Sequence, residues 1–288
     1  MLRQKVIKKH YLRTLPGEGI IVGDNKNIKQ WKGKKLMKYE WRKKEKELYI
    51  PKRKPELVTI PEQYFFSIGG KGNPNEQEFA EKIGVLYSLA YAVRMMPKQG
   101  ETPDGYFEYI VYPLEGVWDL TEAGRKLNTL DKEELLYTIM IRQPDFVTKE
   151  VAERAFEHVE KKKPHPFLNE AKIGTYEDGL TVQMLHVGPY DDEPQSFQLM
   201  KEFTENNNLE RISLQHREIY LSDFRKVEPA KLKTVLRYKV KAIECFVNYP
   251  HVIAIEFIDG GVSSEYRICY VYRPQSRRPD KMGLFLFV

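Results

Sequence analysis

The chain has 288 residues, is 41% hydrophobic and carries a net charge of +6, which is enough apolar content for one large or two small cores. No apolar run approaches the roughly 20 residues of a membrane-spanning helix, and the basic N-terminus lacks the apolar stretch of a secretory signal. Both cysteines, Cys245 and Cys269, lie near the C-terminus, so we expect no disulfide framework or cysteine metal site and a reducing, cytoplasmic setting.

The basic excess lies at the two ends of the chain. It is concentrated in the first 54 residues and in residues 273–281, whereas the middle is nearly balanced. We therefore expect no nucleic-acid binding by the central region. Residues 1–36 are Lys-rich and aperiodic, and the Lys-Gly-Lys-Lys sequence before Met37 is what a purine-rich ribosome-binding site would encode. This segment is either translated upstream sequence, with Met37 as the native start, or a disordered basic arm.

A strand followed by a helix opens the central region. Residues 57–68 have strand composition and lead into a glycine-rich turn at 69–75. The turn lacks the spacing of a phosphate-binding loop and the Ser or Thr that would follow Lys71, so it is interpreted as a simple connection. Asn75 and Glu78 predict a capping box. The helix then carries an apolar stripe at helical spacing: Phe79, Ile83, Leu86, Ala90 and Val93.

The remaining elements alternate along the chain. We predict strands at 105–113, 115–120, 135–142, 171–176, 180–187, 216–221 and 232–240. Helices are predicted at 148–163, capped by Thr148, and at 193–206, with Asp192 as the N-cap. A polar insertion occupies residues 121–131.

Two halves of this pattern repeat each other. Each half has a strand ending in glycine, a capped helix and two further strands, and the helix at 148–163 connects them. The fold class is therefore α+β, a duplicated β-α-β-β unit with a pseudo-twofold ligand cleft. Aligning the halves matches residues 106–111 with 216–221, which would place Glu108 and Glu218 at equivalent positions across the cleft.

The strand that begins at His216 is the centre of the predicted site. Alternation places His216, Glu218 and Tyr220 on one face, opposite a face that is apolar at Ile219 and Leu221. A carboxylate between aromatic residues is costly to bury without a partner or a function. Glu218 is therefore interpreted as a site residue.

Two structural alternatives remain open for this site. Glu218 could form a salt bridge with Arg237, and Glu108 with a neighbouring cation. The aromatic residues assigned to the cleft could equally be cross-strand core pairs; they are Tyr106, Tyr112, Trp118, Tyr190 and Tyr220. His186 and His216 lack metal-ligand spacing, so neither a metal nor another cofactor is predicted.

Several motifs in residues 38–240 resemble the GyrI-like small-molecule-binding family, in its stand-alone bacterial form. They are Lys38-Tyr39-Glu40-Trp41, Tyr87-Ser88-Leu89-Ala90-Tyr91, Gly116-Val117-Trp118-Asp119-Leu120, Thr138-Ile139-Met140-Ile141-Arg142-Gln143-Pro144, Val187-Gly188-Pro189-Tyr190, and Arg217-Glu218-Ile219-Tyr220-Leu221-Ser222-Asp223 followed by Pro229 and Leu232-Lys233-Thr234-Val235-Leu236-Arg237. The resemblance implies the duplicated fold with a ligand groove between its halves. Glu218 matches the ligand-facing glutamate of the family, whereas Glu108, Trp118 and Tyr190 are carried over by position only.

The resemblance also implies a choice of functions. The family includes drug-binding modules joined to DNA-binding domains, inhibitors of DNA gyrase, and stand-alone proteins, some of which hydrolyse the cyclopropane of DNA-alkylating natural products. Residues 1–56 lack the two periodic helices of a helix-turn-helix, which argues against a DNA-binding regulator.

Three hypotheses follow. The first is a protective, detoxifying protein that binds flat, apolar or cationic drug-like molecules through the aromatic residues and His216. The second is a cyclopropanoid hydrolase in the same cleft, with Glu218 or Glu108 as base and Tyr190 or Tyr220 as donor. The third is a protein-interaction module acting on gyrase or a regulator.

The predicted domain covers residues 37–241, and residues 242–288 differ from it in composition. They are poor in lysine and end in the apolar run 283–288. This extension is either read-through sequence or an additional strand pair at 252–258 and 268–272.

Overall fold

The computed structural model of the protein describes residues 38–243. The predicted basic arm and the C-terminal extension with its strand pair lie outside the described residues. The helices are α1 (Trp41–Lys44), α2 (Lys46–Tyr49), α3 (Gln77–Met95), α4 (Lys149–Lys162) and α5 (Glu193–Asn206). The strands are β1 (Glu56–Ile60), β2 (Gln63–Lys71), β3 (Leu114–Leu120), β4 (Leu135–Gln143), β5 (Lys172–Tyr176), β6 (Gly179–Val187), β7 (Leu209–Arg211), β8 (His216–Tyr220) and β9 (Lys233–Ala242). No helix within residues 38–243 is long and apolar enough to cross a bilayer.

Side-chain caps form at some helix starts and not at others. Oγ1 of Thr148 accepts a hydrogen bond from the backbone N–H of Val151 at 3.3 Å, as predicted for α4. The capping box predicted at Asn75 is wrong, because the N-cap of α3 is Glu76 and makes no side-chain cap bond. Asp192 is the N-cap of α5, but its side chain also makes no cap bond.

The strands of the described residues form one antiparallel sheet in the order β1-β6-β9-β8-β3-β4-β2-β5, with β7 paired to β9. The first half of the repeat is β2-α3-β3-β4, and the second is β6-α5-β8-β9. The α4 helix connects them, as predicted. The two halves join where β3 pairs with β8 at the centre of the sheet, and the predicted α+β duplication is confirmed.

The predicted alignment of the two halves is wrong by one strand. Residues 105–113 do not form a strand, and β3 is the partner of β8 in the repeat. In the first half β3 pairs with β4, with Leu114 opposite Ile141. In the second half β8 pairs with β9 in the same antiparallel way, with Ile219 opposite Val235. Glu108 is therefore not the counterpart of Glu218.

The two faces of the sheet are covered by different elements. The α3 helix packs on β2 and β4, and α5 packs on β6 and β7. The short helices α1 and α2 lie on the opposite face, where the backbone carbonyl of Leu48 accepts from the guanidinium of Arg237. The strip of β3 and β8 between α3 and α5 is the floor of the candidate site.

Candidate functional site

Glu218 lies on β8, at the join between the two halves and opposite Gly116. Its side chain is 11% exposed. Oε1 accepts a hydrogen bond from Nε2 of His216 at 3.0 Å, and Oε2 accepts one from the hydroxyl of Tyr220 at 2.8 Å. The three side chains share a face because they are two residues apart in a strand. The carboxylate is therefore held at both oxygens while still reaching solvent.

A hydrogen-bond chain crosses from the first half to Glu218. Nε1 of Trp118 donates to the hydroxyl of Tyr220 at 2.8 Å, and that hydroxyl donates to the carboxylate. A Cβ on Gly116 would lie 2.7 Å from Nε1 of Trp118, closer than side-chain carbons approach. The glycine leaves the space through which the indole reaches the phenol.

Aromatic rings from both halves flank the floor. Trp118 packs against Phe79 of α3, with ring centroids 5.8 Å apart. His216 contacts Phe197 of α5 edge-on, with centroids 4.9 Å apart and planes at 75°. Such edge-on contacts are favourable for π-systems and fix the ring orientations. The walls above Glu218 are therefore apolar on both sides.

Tyr190 stands at the mouth of the site. Its ring lies edge-on to Tyr220 at 6.0 Å and 88°, and its side chain is 38% exposed. Burial, followed by the nearby charges of Glu218 and Glu193, raises the pKa of Tyr190 to about 12. The same causes raise the pKa of Tyr220 well above its usual value. Both phenols therefore keep their protons at neutral pH and can donate hydrogen bonds.

A second carboxyl lies beside Glu218. Glu193, in the first turn of α5, is 6% exposed, and its Oε1 is buried without a hydrogen-bond partner among the described residues. Burial and then repulsion from Glu218 raise the pKa of Glu193 well above its usual range. The sequence pattern does not reveal this residue, because a glutamate in a first helical turn is ordinarily explained by its favourable interaction with the macrodipole. Its alignment with the β8 face depends on how α5 packs.

A buried histidine holds the segment that carries Tyr190 and Glu193. Nε2 of His186 donates to the carbonyl of Pro189 at 3.1 Å, since a carbonyl can only accept. Nδ1 then accepts from the hydroxyl of Ser196 in α5 at 2.9 Å. The histidine thereby ties the turn after β6 to the first turns of α5.

Three sequence-predicted site residues lie elsewhere. The hydroxyl of Tyr112 donates to Oε1 of Glu45 at 2.6 Å, and that of Tyr106 donates to the carbonyl of Arg94 at 3.0 Å. Glu108 is exposed, and its backbone carbonyl accepts a hydrogen bond from the N–H of Tyr39. All three belong to the 105–113 segment that is not a strand, so they do not join Glu218.

The predicted alternative of a Glu218–Arg237 salt bridge is wrong. Arg237 lies opposite Arg217 on β8, one residue out of phase with Glu218, and therefore points to the other face. There its Nε donates to Oε1 of Gln183 at 2.9 Å. Of the residues that the sequence predicts for the site, the structure brings five together: Trp118, Tyr190, His216, Glu218 and Tyr220.

A family comparison agrees with this architecture. The model of the GyrI-like small molecule binding domain matches residues 53–241. The chain belongs to this family. The match spans both halves of the repeat and includes every residue of the site described above. The resemblance found in the sequence motifs is thereby confirmed at the level of the family.

This GyrI-like domain is similar to solved structures from Listeria innocua. A hydrolase from that organism is 41% identical, with a TM-score of 0.64, covering 71% of this chain and 100% of its own. An uncharacterized conserved protein from the same organism is 42% identical, with a TM-score of 0.66 and the same coverage. The C-terminal domain of EcmrR is 14% identical, with a TM-score of 0.42, covering 68% of this chain and 99% of its own. Comparison with proteins of curated function gave no significant match.

Proposed function

We propose that this GyrI-like domain binds flat, apolar small molecules between α3 and α5 and hydrolyses those that carry a strained, electrophilic ring. The observation that carries the proposal is Glu218, a carboxylate on an aromatic floor, 11% exposed and held at both oxygens. The 41% identity to a Listeria innocua hydrolase supports a hydrolytic reaction. A cyclopropane conjugated to a carbonyl is the ring we assign, because the family resemblance includes hydrolases of such compounds.

The reaction is a net addition of water. Water attacks a ring carbon as Glu218 removes one of its protons, so that a C–O bond forms and the strained C–C bond breaks. The released electron pair moves through the conjugated system to the carbonyl oxygen, which then takes up a proton. Tyr190 and Tyr220 keep their phenolic protons at neutral pH. They stabilise the developing charge on that oxygen by donating hydrogen bonds.

The aromatic walls supply the binding energy. Phe79 and Trp118 lie buried on one side of the floor and Phe197 lies half-buried on the other, so a flat ligand on the floor would pack against aromatic residues. Displacing water from this floor strengthens the electrostatic interaction of Glu218 with a polarised ring. The same negative floor attracts a cationic ligand.

Binding without turnover is the second candidate. It is favoured by the fact that His216 and Tyr220 already occupy both oxygens of Glu218. A carboxylate restrained in this way can act as a fixed negative charge that binds an apolar cation as well as it can act as a base. In that case, protection of the cell against a toxic compound would come from sequestration.

Mass spectrometry of a cyclopropane-containing DNA alkylator incubated with the full chain tests the proposal. We expect the compound to gain the mass of one water, and Glu218→Gln to abolish that gain. Glu202→Gln is the matched control, because Glu202 lies on the exposed face of α5, where Gln198 donates to its Oε1 at 2.9 Å. If the compound co-purifies with the protein but is unchanged, the protein binds it without hydrolysing it, and only the second candidate function stands. A compound that neither reacts nor binds would overturn both candidates.

A further inference from the structure

Glu193 is a buried acid for which the proposed reaction has no role. It is 6% exposed, and no N–H or O–H of the described residues donates to its Oε1. Its neighbour is Glu218, which already receives hydrogen bonds from His216 and Tyr220. An ionised Glu193 would therefore be a second negative charge beside Glu218, with one oxygen buried and without a donor among the described residues. Such an arrangement is strongly unfavourable.

Two carboxylates act on Glu193 in the same direction. Glu218 on β8 and Asp191 in the turn before α5 repel its ionised form. Tyr190 and Tyr220 face the same pair and are neutral, because burial and then the nearby carboxylates raise the pKa of each. When two carboxylates share a site with little solvent, one of them retains its proton.

We propose that Glu193 and Glu218 share a single proton and work as one acid–base pair, in which Glu193 holds the proton and Glu218 the charge. Glu193 donates its carboxyl hydrogen to Glu218 and so acts as a positioning residue for the base. The catalytic part of this inference rests on the proposed hydrolysis. The shared proton itself does not.

The pair also supplies the proton that the reaction needs. When Glu218 takes a proton from the attacking water, the pair holds two protons. One of them passes to the substrate oxygen as the ring opens, and the pair returns to a single proton. Tyr190 and Tyr220 are poor sources of this proton, because the pKa of each is raised. They orient the oxygen while the carboxyl pair exchanges the proton.

Infrared spectroscopy of the full chain without any ligand tests the shared proton. We expect a carbonyl band of a protonated carboxylic acid near neutral pH that disappears in Glu193→Gln and persists in Glu202→Gln. In Glu218→Gln the repelling charge is gone, so the band should titrate away at lower pH. A wild-type spectrum without the band near neutral pH, or a band that survives Glu193→Gln, would overturn the proposal.

Two opposite ions of the same shape test the charge of the pair. Tetraphenylphosphonium binding should strengthen at alkaline pH as the shared proton is lost, while tetraphenylborate binding should weaken. Both trends should vanish in Glu193→Gln. Identical trends in wild type and variant would count against the pair.

The pH profile of hydrolysis then tests the role in catalysis. Wild-type kcat should fall at alkaline pH, where the pair loses its proton, and Glu193→Gln should lose that alkaline limb. An unchanged limb in the variant would remove Glu193 from the proton path. If the infrared band behaves as expected but no compound is hydrolysed, the proton-sharing pair stands and the proposed hydrolysis fails.

Discussion

Gly116 and Glu218 face each other across the two central strands, and the size of the first determines the surroundings of the second. A Cβ at Gly116 would lie 2.7 Å from Nε1 of Trp118 and 3.2 Å from the hydroxyl of Tyr220. These are the two groups whose hydrogen bond leads to the carboxylate. The restraint on Glu218 therefore depends on the absence of a side chain one strand away.

Gly116→Ala should disrupt this hydrogen-bond chain. We expect a loss of about 1–3 kcal/mol in the free energy of unfolding, as for other overpacked sites, together with reduced turnover. Urea denaturation and the mass-gain assay measure the two effects. Gly84→Ala is the matched control, because a Cβ at Gly84 in α3 meets nothing within 4 Å. That control should gain up to about 1 kcal/mol from helix propensity. Full turnover in Gly116→Ala would show that the hydrogen-bond chain from Trp118 to Glu218 is not needed for hydrolysis.

Tyr220→Phe should separate the phenol's hydrogen bonds from its ring. The variant keeps the edge contact with Tyr190 but leaves Nε1 of Trp118 without its acceptor. We expect a cost of about 1–3 kcal/mol in unfolding free energy for the unpaired group. Turnover should fall by about 100-fold if the hydroxyl stabilises the developing oxyanion. Tyr91→Phe, at a side chain 46% exposed, is the control for a lost phenol. Equal turnover in the two variants would contradict the assignment.

The stability of the protein should depend on pH through Glu193. Its pKa is raised in the folded state, so the native protein retains a proton that the unfolded chain releases above about pH 4.3. The contribution of Glu193 to stability is therefore greatest below that value and declines as pH rises towards the folded pKa. The Glu193→Gln variant lacks this decline. The difference in unfolding free energy, variant minus wild type, should therefore increase from acidic to neutral pH. Urea denaturation across the pH range measures the difference, and a constant difference would refute the assigned protonation.

Arg217 should be essential to stability. It is 2% exposed, its Nε donates to Oε2 of Glu115 at 2.7 Å, and it also pairs with Asp178. Arg217→Ala leaves both carboxylates buried and unpaired, which should cost about 3–5 kcal/mol in unfolding free energy. Arg225→Ala removes an exposed arginine paired with Asp223 and should cost at most about 1 kcal/mol. Similar denaturation midpoints for the two variants would show that the buried network contributes little.

The order of the elements could be predicted from the sequence because local patterns specify it. The apolar stripe of α3, the cap at Thr148 and the glycine-terminated strands each act within a few residues. The strand predicted at 105–113 fails for a reason outside the segment. Its residues alternate like a strand, but Glu108 and Ile110 bond through their backbones to Tyr39 in an isolated bridge. Tertiary pairing with a distant residue overrides the local pattern.

The part of the site that strand alternation and the family resemblance determine could be predicted from the sequence. His216, Glu218 and Tyr220 share a face by alternation alone, and Trp118 was carried over from the family by its position in the fold. Glu193 could not be predicted, because its burial is created by the packing of α5 on the sheet, which no short-range pattern encodes. The proton that we assign to it is likewise a product of tertiary structure.

The central pairing of β3 and β8 has an evolutionary consequence. Trp118 comes from one half of the repeat, and Tyr220 and Glu218 come from the other. A single β-α-β-β unit thus lacks the site, and an ancestor of that size could have formed the site only as a homodimer. Such a homodimer would have had to be symmetric. The present chain places a glycine opposite the glutamate, so fusion into one polypeptide freed each half to specialise.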